Sequence, residues 1–256
     1  MKPDRADAFR TERAEMLRLC GELDEKEWGT ASKALGWSVQ DVVAHIGATC
    51  RSFFTPSMVT MMRMNDLERT NDLFVDKRRG RTPSQTVAEY ERWTRVMGVA
   101  ARLPLDWVRV PMAELGRFPA GLMIGGAMTF DHHTHLRFDI VPALGRPVPG
   151  TDANRMATVL EWMFAVLGNQ VRSAQPAWFV DPLTIELEGL GGGTWSVGPG
   201  GVVTVGPSDK SAATITGRAE DFPEWATHRA DWRDRDLRIS GDVDYSARFL
   251  DFARVV

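Results

Sequence analysis

The sequence has little cysteine, little lysine and little tyrosine. Cys20 and Cys50 form no CxxC pair, and two thiols among 256 residues make no disulfide framework, so a reducing, cytoplasmic setting is expected. No apolar run approaches the length of a membrane span, and the opening MKPDRADAFRTERAEMLRL lacks the apolar core of a signal peptide. No membrane attachment is expected. Concentrated positive charge is missing too: 31 Lys plus Arg face 34 Asp plus Glu, a formal net charge of −3, which argues against nucleic acid or anionic lipid as partners. Common catalytic signatures are also absent. The glycines between 191 and 201 spell neither GxGxxG nor a Walker A loop, there is no HExxH, and no GxSxG elbow supports a hydrolytic triad.

What is present is globular. Apolar residues make up 43% and charged residues 25% of the chain, and its length accommodates one large domain or two ordinary ones. Apolar positions recur near helical spacing over residues 4–23, and a loop with Trp28, Gly29, Gly36 and Trp37 follows. Ser38 with Asp41, and Thr82-Pro83 with Gln85, read as capping boxes that open helices over 39–65, broken near Pro56, and over 83–102. An irregular stretch over 103–118 precedes a fourth helix from about 119 to a stop before Pro142. A fifth covers 152–171. The short β-rich segments TIELEG, TWSVG, VVTVG and AATITG then predict a mostly antiparallel sheet, with helices over 222–227 and 245–255. Helices followed by strands imply two layers of different class, hence a helical domain over 1–150 and an α+β domain over 151–256, with the helix 152–171 as connector.

Four of the five histidines lie in the helical half, three of them in Asp131-His132-His133-Thr134-His135. At about 100° per residue, Asp131 and His135 sit roughly 40° apart, on one stripe with Ile124, Met128 and Phe138, whereas His133 points away and His132 lies at the edge. A carboxylate and an imidazole on an inward apolar face each carry a desolvation cost if unpaired, and a shared ligand would account for both. His45 repeats the pattern, in a stripe with Val42, Ile46, Thr49 and Phe53. Two residues at i,i+4 plus one from a neighbouring helix suit a three-ligand metal site with an open fourth position, and a nitrogen and oxygen donor set suits Zn²⁺, with Ni²⁺, Mn²⁺ and Fe²⁺ also compatible. The alternative is that these are hydrogen-bonded core histidines. His132 and His133 read as polar-face or supporting residues. Asp139 is either a partner that fixes the His135 tautomer or a surface carboxylate. Cys50 reads as a core thiol, the methionines 58, 61, 62 and 64 as packing or a pocket wall, and the run Lys77-Arg78-Arg79-Gly80-Arg81 as a solvated loop.

Two motifs then resemble one family. Gly36-Trp37-Ser38-Val39-Gln40-Asp41-Val42-Val43-Ala44-His45 is similar to the GW(T/S)VxDVxxH motif of mycothiol-dependent maleylpyruvate isomerases, and the segment from Phe130 to Asp139 is similar to their second metal motif. The resemblance implies a DinB-like four-helix metal-binding bundle followed by a small, sterol-carrier-like α/β domain. It implies His45, Asp131 and His135 as metal ligands, with Asp131 standing where the family usually has Glu, so that a shorter carboxylate must bring its helix closer or bind through water. It also implies a cofactor pair of divalent metal, Zn most of all, and mycothiol or a similar thiol. The partners are that small-molecule thiol and an electrophilic, carboxylate-bearing substrate for isomerisation or S-transfer. An arginine from the second domain, Arg229 ahead of Arg218 or Arg248, would take the carboxylate, and His132 or Asp139 would carry a proton if it reached the cleft. A non-catalytic metal- or ligand-binding protein is the alternative. The excess of Arg over Lys fits the high-GC bacteria that make mycothiol.

Overall fold

The chain divides into two compact units, Met1–Gly150 and Thr151–Val256, in a computed structural model that describes residues 2–63 and 65–255. The first unit is mainly helical: α1 (Arg5–Glu22), α2 (Glu25–Trp28), α3 (Val39–Ser52), α4 (Ser57–Arg63), α5 (Leu67–Asp76) and α6 (Pro83–Ala100) precede a hairpin of β1 (Arg109–Met112) and β2 (Gly116–Pro119). A last helical stretch runs as a π-helical turn (Leu122–Ala127), a central α7 (Met128–Thr134) and a second π-helical turn (His135–Ile140).

Local chemistry explains where the helices begin. Ser38 accepts from the Asp41 amide while Asp41 accepts from the Ser38 amide, and Thr82 with Gln85 does the same, each pair satisfying donors that the first turn leaves open. Asp24 with Glu27 forms a third such box, so the expected loop around Trp28 contains a helical turn. Asp66 caps α5, an element the periodicity reading did not contain. The helix expected over 39–65 stops at Ser52 and resumes at Ser57, and Pro56 lies in the gap. Met58, Met61 and Met62 fall on α4, and Met64 lies outside the described residues. The stretch expected to be irregular over 103–118 holds β1 and most of β2.

Four long elements share one core. α3 packs on α6, α1 on α6 and α7, and α3 on α7, around Phe9, Met16, Val42, Val43, Ile46, Tyr90, Met97, Met128 and Ile140. Gly47 sets the closest approach of α3 to α6: a Cβ there would lie 3.1 Å from the Tyr90 Cα. That contact fixes α3 rotationally, and so fixes which way His45 points.

The second unit is a five-stranded sheet with helices against it. Its strands are β3 (Leu183–Glu188), β4 (Gly193–Gly198), β5 (Val202–Val205), β6 (Ala213–Arg218) and β7 (Arg238–Gly241), in the order β5-β4-β3-β6-β7. Three pairings are antiparallel, and β3 with β6 is parallel. The long α8 (Ala153–Ala174) buries Met156, Val159, Leu160, Met163 and Leu167, and its Phe164 stacks on Trp195 at 4.3 Å and on Phe222 at 5.2 Å. α9 (Phe222–Ala226) and α10 (Val243–Phe252) complete it. The glycine turn between β4 and β5 is structural: Gly201 has φ of +72°, and a Cβ on it would fall 1.9 Å from the Gly168 carbonyl oxygen. No helix among the described residues is long and apolar enough to cross a membrane.

Candidate metal centre

His45 reaches the site from the middle of α3, buried on all sides by its own helix and its neighbours. Asp131 comes from α7 and His135 from the junction of α7 with the second π-helical turn, one helical turn further on. One donor atom from each of the three lies within 4.8 Å of the other two. The His45 Nε2 to Asp131 Oδ1 distance is 3.4 Å, and His135 Nε2 to the same oxygen is 3.3 Å. Two readings of the trio set different spacings. A charge-assisted N–H···O hydrogen bond closes to about 2.7–2.9 Å. A tetrahedral ion held at about 2.0–2.2 Å instead sets its donors about 3.4 Å apart. Both spacings to the Asp131 oxygen are longer than the first and close to the second.

Unsatisfied atoms point the same way. Asp131 Oδ2 is buried without a hydrogen-bond partner, an arrangement that costs stability unless something fills the site; His45 Nδ1 is also unpartnered but is not the ring nitrogen that faces Asp131. His135 differs, because its Nδ1 lies 2.7 Å from the Asp139 Oδ2 of a carboxylate that is 1% exposed. Asp139 is therefore a buried partner and not a surface carboxylate; it holds the Nδ1 proton and leaves Nε2 facing Asp131. Asp131 keeps 18% of its side chain exposed, so the trio sits at the edge of solvent rather than sealed in the core. The shorter side chain of aspartate reaches both imidazoles directly.

The charges are coupled. Burial raises the Asp131 carboxyl pKa, but the His45 and His135 imidazoles outweigh it and hold the group well below the usual carboxylate range. Burial lowers His135, and Asp131 with Asp139 outweigh that in turn, carrying it up to about 9. A cation at the trio would take over the role of that proton, so metal binding here releases protons and strengthens as pH rises. Asp139→Asn keeps the shape but removes the charge that orients His135. Its expected effect is a metal affinity about 10–100-fold weaker, measured by competition with a chromophoric chelator; an unchanged affinity would remove Asp139 from the site.

Trp37 forms one wall, its ring 4.9 Å from His45 and 6.2 Å from His135 between centroids. Gly36 at φ +78° turns the chain to present it, and its indole N–H donates to Asp72 at 2.9 Å. The wall has a sequence signal, the Gly-Trp directly ahead of the capping box.

His132 and His133 do not form a polar face. Both are essentially fully buried. His132 is held at 2.9 Å from the Tyr90 hydroxyl and 2.6 Å from the Met128 carbonyl, and burial keeps it below the ordinary histidine range. With both ring nitrogens engaged in the core, the structure gives it no path to carry a proton to substrate. His133 and Arg137 meet Glu12 of α1 at 3.1 and 2.7 Å, and Arg137 also reaches Glu15 at 2.8 Å. Glu12 was missed as a candidate although it lies on the apolar stripe of α1 with Ala8, Met16 and Leu19. Cys50 is fully buried and its thiol is pushed well above the ordinary range by burial, as befits a core residue.

Arg78 corrects the solvated-loop expectation for its basic run. It is 5% exposed and grips Glu89 through two bonds of 2.6 and 3.0 Å. A cavity of about 820 Å³ beside that pair is lined by Arg51, Arg81, Gln85, Glu89, Arg92 and Trp93, and none of the trio lines it. In the second unit, Arg229 lies just after α9 and is exposed, as are Arg218 and Arg248, and Arg248 covers the Trp178 ring at 4.6 Å.

Comparison with known proteins agrees with this architecture. The sequence model of the mycothiol maleylpyruvate isomerase N-terminal domain matches residues 9–137, half of the chain. Two solved structures, mycothiol-dependent maleylpyruvate isomerase and a histidine-to-alanine variant of it, share the fold with a TM-score of 0.52 at 14% identity, over 93% of this chain and 93% of theirs. Sterol Carrier Protein 2 Like 2 from Aedes aegypti is similar over 38% of this chain and 96% of its own, at 19% identity and a TM-score of 0.34. A sequence search among curated proteins finds no match.

Proposed function

The chain belongs to the mycothiol maleylpyruvate isomerase N-terminal domain family, and from that premise we propose that it is a metal-dependent enzyme using a low-molecular-weight thiol for isomerisation or S-transfer. The observation that carries the reading is the trio itself, with one donor each from His45, Asp131 and His135 inside 4.8 Å and an unpartnered carboxylate oxygen beside them. These residues would hold the cation as a DinB-like bundle does, three ligands with a position left for a small molecule, and Zn²⁺ suits the donors. When bound, the cation lowers the pKa of a coordinated thiol and so supplies a nucleophile at neutral pH.

The chain's own residues do the rest. Asp139 holds His135 in the tautomer that presents Nε2. Trp37 keeps water from one side of the imidazoles. The second oxygen of Asp131, buried and without a partner, is able to accept a hydrogen bond from a hydroxyl brought in by the ligand. Arg229 is proposed for the substrate carboxylate, since a guanidinium fork pairs bidentately with it; it is exposed, as are Arg218 and Arg248. The second unit is read as the sterol-carrier-like domain.

Elemental analysis with a thermal-shift screen tests the reading. A ligand that binds only the native state raises stability by about 2.7 kcal/mol at 100 times its Kd. The expected result is one equivalent of metal and an upward shift with metal plus a glucosamine-type thiol beyond that with metal alone. A shift with metal but none with any thiol would favour a metal-binding module without turnover. No stoichiometric metal and no shift would overturn the proposal.

A further inference from the structure

Threonines inside helices ordinarily turn their hydroxyls back to the carbonyl four residues earlier. Here Thr94 donates to Tyr90 at 2.7 Å, Thr129 to Gly125 at 2.6 Å and Thr158 to Asn154 at 2.8 Å. Thr49 on α3 does not. It is 8% exposed, and its hydroxyl has no hydrogen-bond partner. Its backbone carbonyl is occupied separately, by the Ser52 hydroxyl at 2.6 Å.

The position of this hydroxyl is informative. Thr49 follows His45 by four residues, about 40° around the helix, and side chains on a helix lean toward its N-terminus, which carries the Thr49 side chain back over His45. His45 Nδ1, Asp131 Oδ2 and Thr134 Oγ1 are also buried without a partner. A buried hydroxyl that forgoes its own helix and gains nothing in exchange lowers stability. It is accounted for if a ligand completes it.

We infer that Thr49 is a positioning residue whose hydroxyl donates a hydrogen bond to the sulfur of a thiol seated at the His45, Asp131 and His135 trio. The inference rests on the metal-and-thiol reading above. It gives α3 two tasks on one face: His45 holds the cation, and Thr49, one turn along, orients what the cation binds. The bond also favours the thiolate over the neutral thiol, because a sulfur anion is the better acceptor.

Two substitutions separate this role from packing. Thr49→Val keeps the shape and removes the hydroxyl; Thr49→Ser keeps the hydroxyl and removes a methyl. The readouts are the cobalt content of Co²⁺-loaded protein, its affinity for N-acetylcysteine followed by absorption, and the melting temperature of chelator-stripped protein. Thr49→Val is expected to hold one equivalent of cobalt, to bind the thiol about 5–10-fold more weakly, and to melt about 2–4 °C higher when stripped, because an unsatisfied buried group has gone. Thr49→Ser is expected to bind the thiol within about twofold of the parent, the hydroxyl being retained.

Opposed changes in stability and affinity are what a purely structural threonine would not produce. Equal thiol affinity in Thr49→Val, equal weakening in both variants, loss of cobalt from Thr49→Val, or a lower melting temperature of its stripped form would each overturn the inference. Failure of the unsubstituted protein to take up cobalt would instead overturn the metal reading beneath it, and is read on that protein alone. Uptake of cobalt by the unsubstituted protein without thiol binding would overturn the thiol assignment and this inference together.

Discussion

Substituting His45 by alanine abolishes stoichiometric metal binding, with an affinity at least about 100-fold weaker than that of the unsubstituted protein. The expectation follows from the donor count. Removing a residue that merely supports a ligand costs about 10–100-fold, and His45 supplies one of three donors directly. It is also the only one of the three on α3. The fold should survive, because the core around Val42, Val43 and Ile46 stays intact and the substitution deletes an unpartnered Nδ1 along with the ligand. Metal content by elemental analysis, with circular dichroism to check the helices, gives the answer. A His45→Ala protein that retains its metal at unchanged affinity would exclude the trio as the site. Loss of thiol-dependent activity with metal retained would point to a different fault.

The second large effect concerns the buried charges behind the site. Glu12 is completely buried, and it binds Arg137 at 2.7 Å and His133 at 3.1 Å. Burial raises the Glu12 pKa, but His133 and Arg137 outweigh this and bring it from 4.5 down to about 2. A carboxyl depressed in the folded state stabilises the protein above its unfolded pKa, and that stability is lost as pH falls through the folded value. The window runs from pH 4.5 down to 2, and a depression of that size corresponds to about 3 kcal/mol. Glu12→Gln leaves the Arg137 guanidinium without its anion in the core and is expected to cost about 3–5 kcal/mol at pH 7. Urea unfolding of both proteins at pH 7 and near pH 3 measures it. The gap between them should narrow in acid, because below pH 4.5 the unfolded chain's Glu12 takes up a proton that the native carboxylate does not accept until about pH 2. Parallel curves across the range would mean that Glu12 is not the group whose ionisation matters.

The elements that were legible in the sequence are those whose cause is local. Ser38 with Asp41 and Thr82 with Gln85 bond amides within three residues, so their helix starts can be read without any tertiary knowledge. Helices α2 and α5 are capped by Asp24 and Asp66 in the same way and escaped notice because short helices give too few turns for periodicity to show. The trio was legible for a related reason: Asp131 and His135 share a helix face by spacing alone, and His45 lies on the apolar face of another helix. Its partners were only partly so. Asp139 was in view one turn along, but whether it faced His135 or solvent depended on how the helix was surrounded. Tyr90 and Glu12 come from α6 and α1, far away in sequence.

The sequence by itself determined the helix starts at Ser38 and Thr82, the change from helices to strands, the lack of an apolar run long enough to span a membrane, and the three residues able to meet at one point. Tertiary structure decided how much of α7 is interior. Reading one apolar stripe assumes that a helix has a wet side, and by that logic His133 and Arg137 belong outside. The first unit instead packs α1, α3 and α6 around this last helical stretch, so polar residues off the stripe are buried as deeply as those on it. Buried polar groups must find partners, and the partners were supplied from α1 and α6: Glu12 for His133 and Arg137, and the Tyr90 hydroxyl for His132. Periodicity reports which face is apolar; only the packing of distant segments reports whether the opposite face meets water.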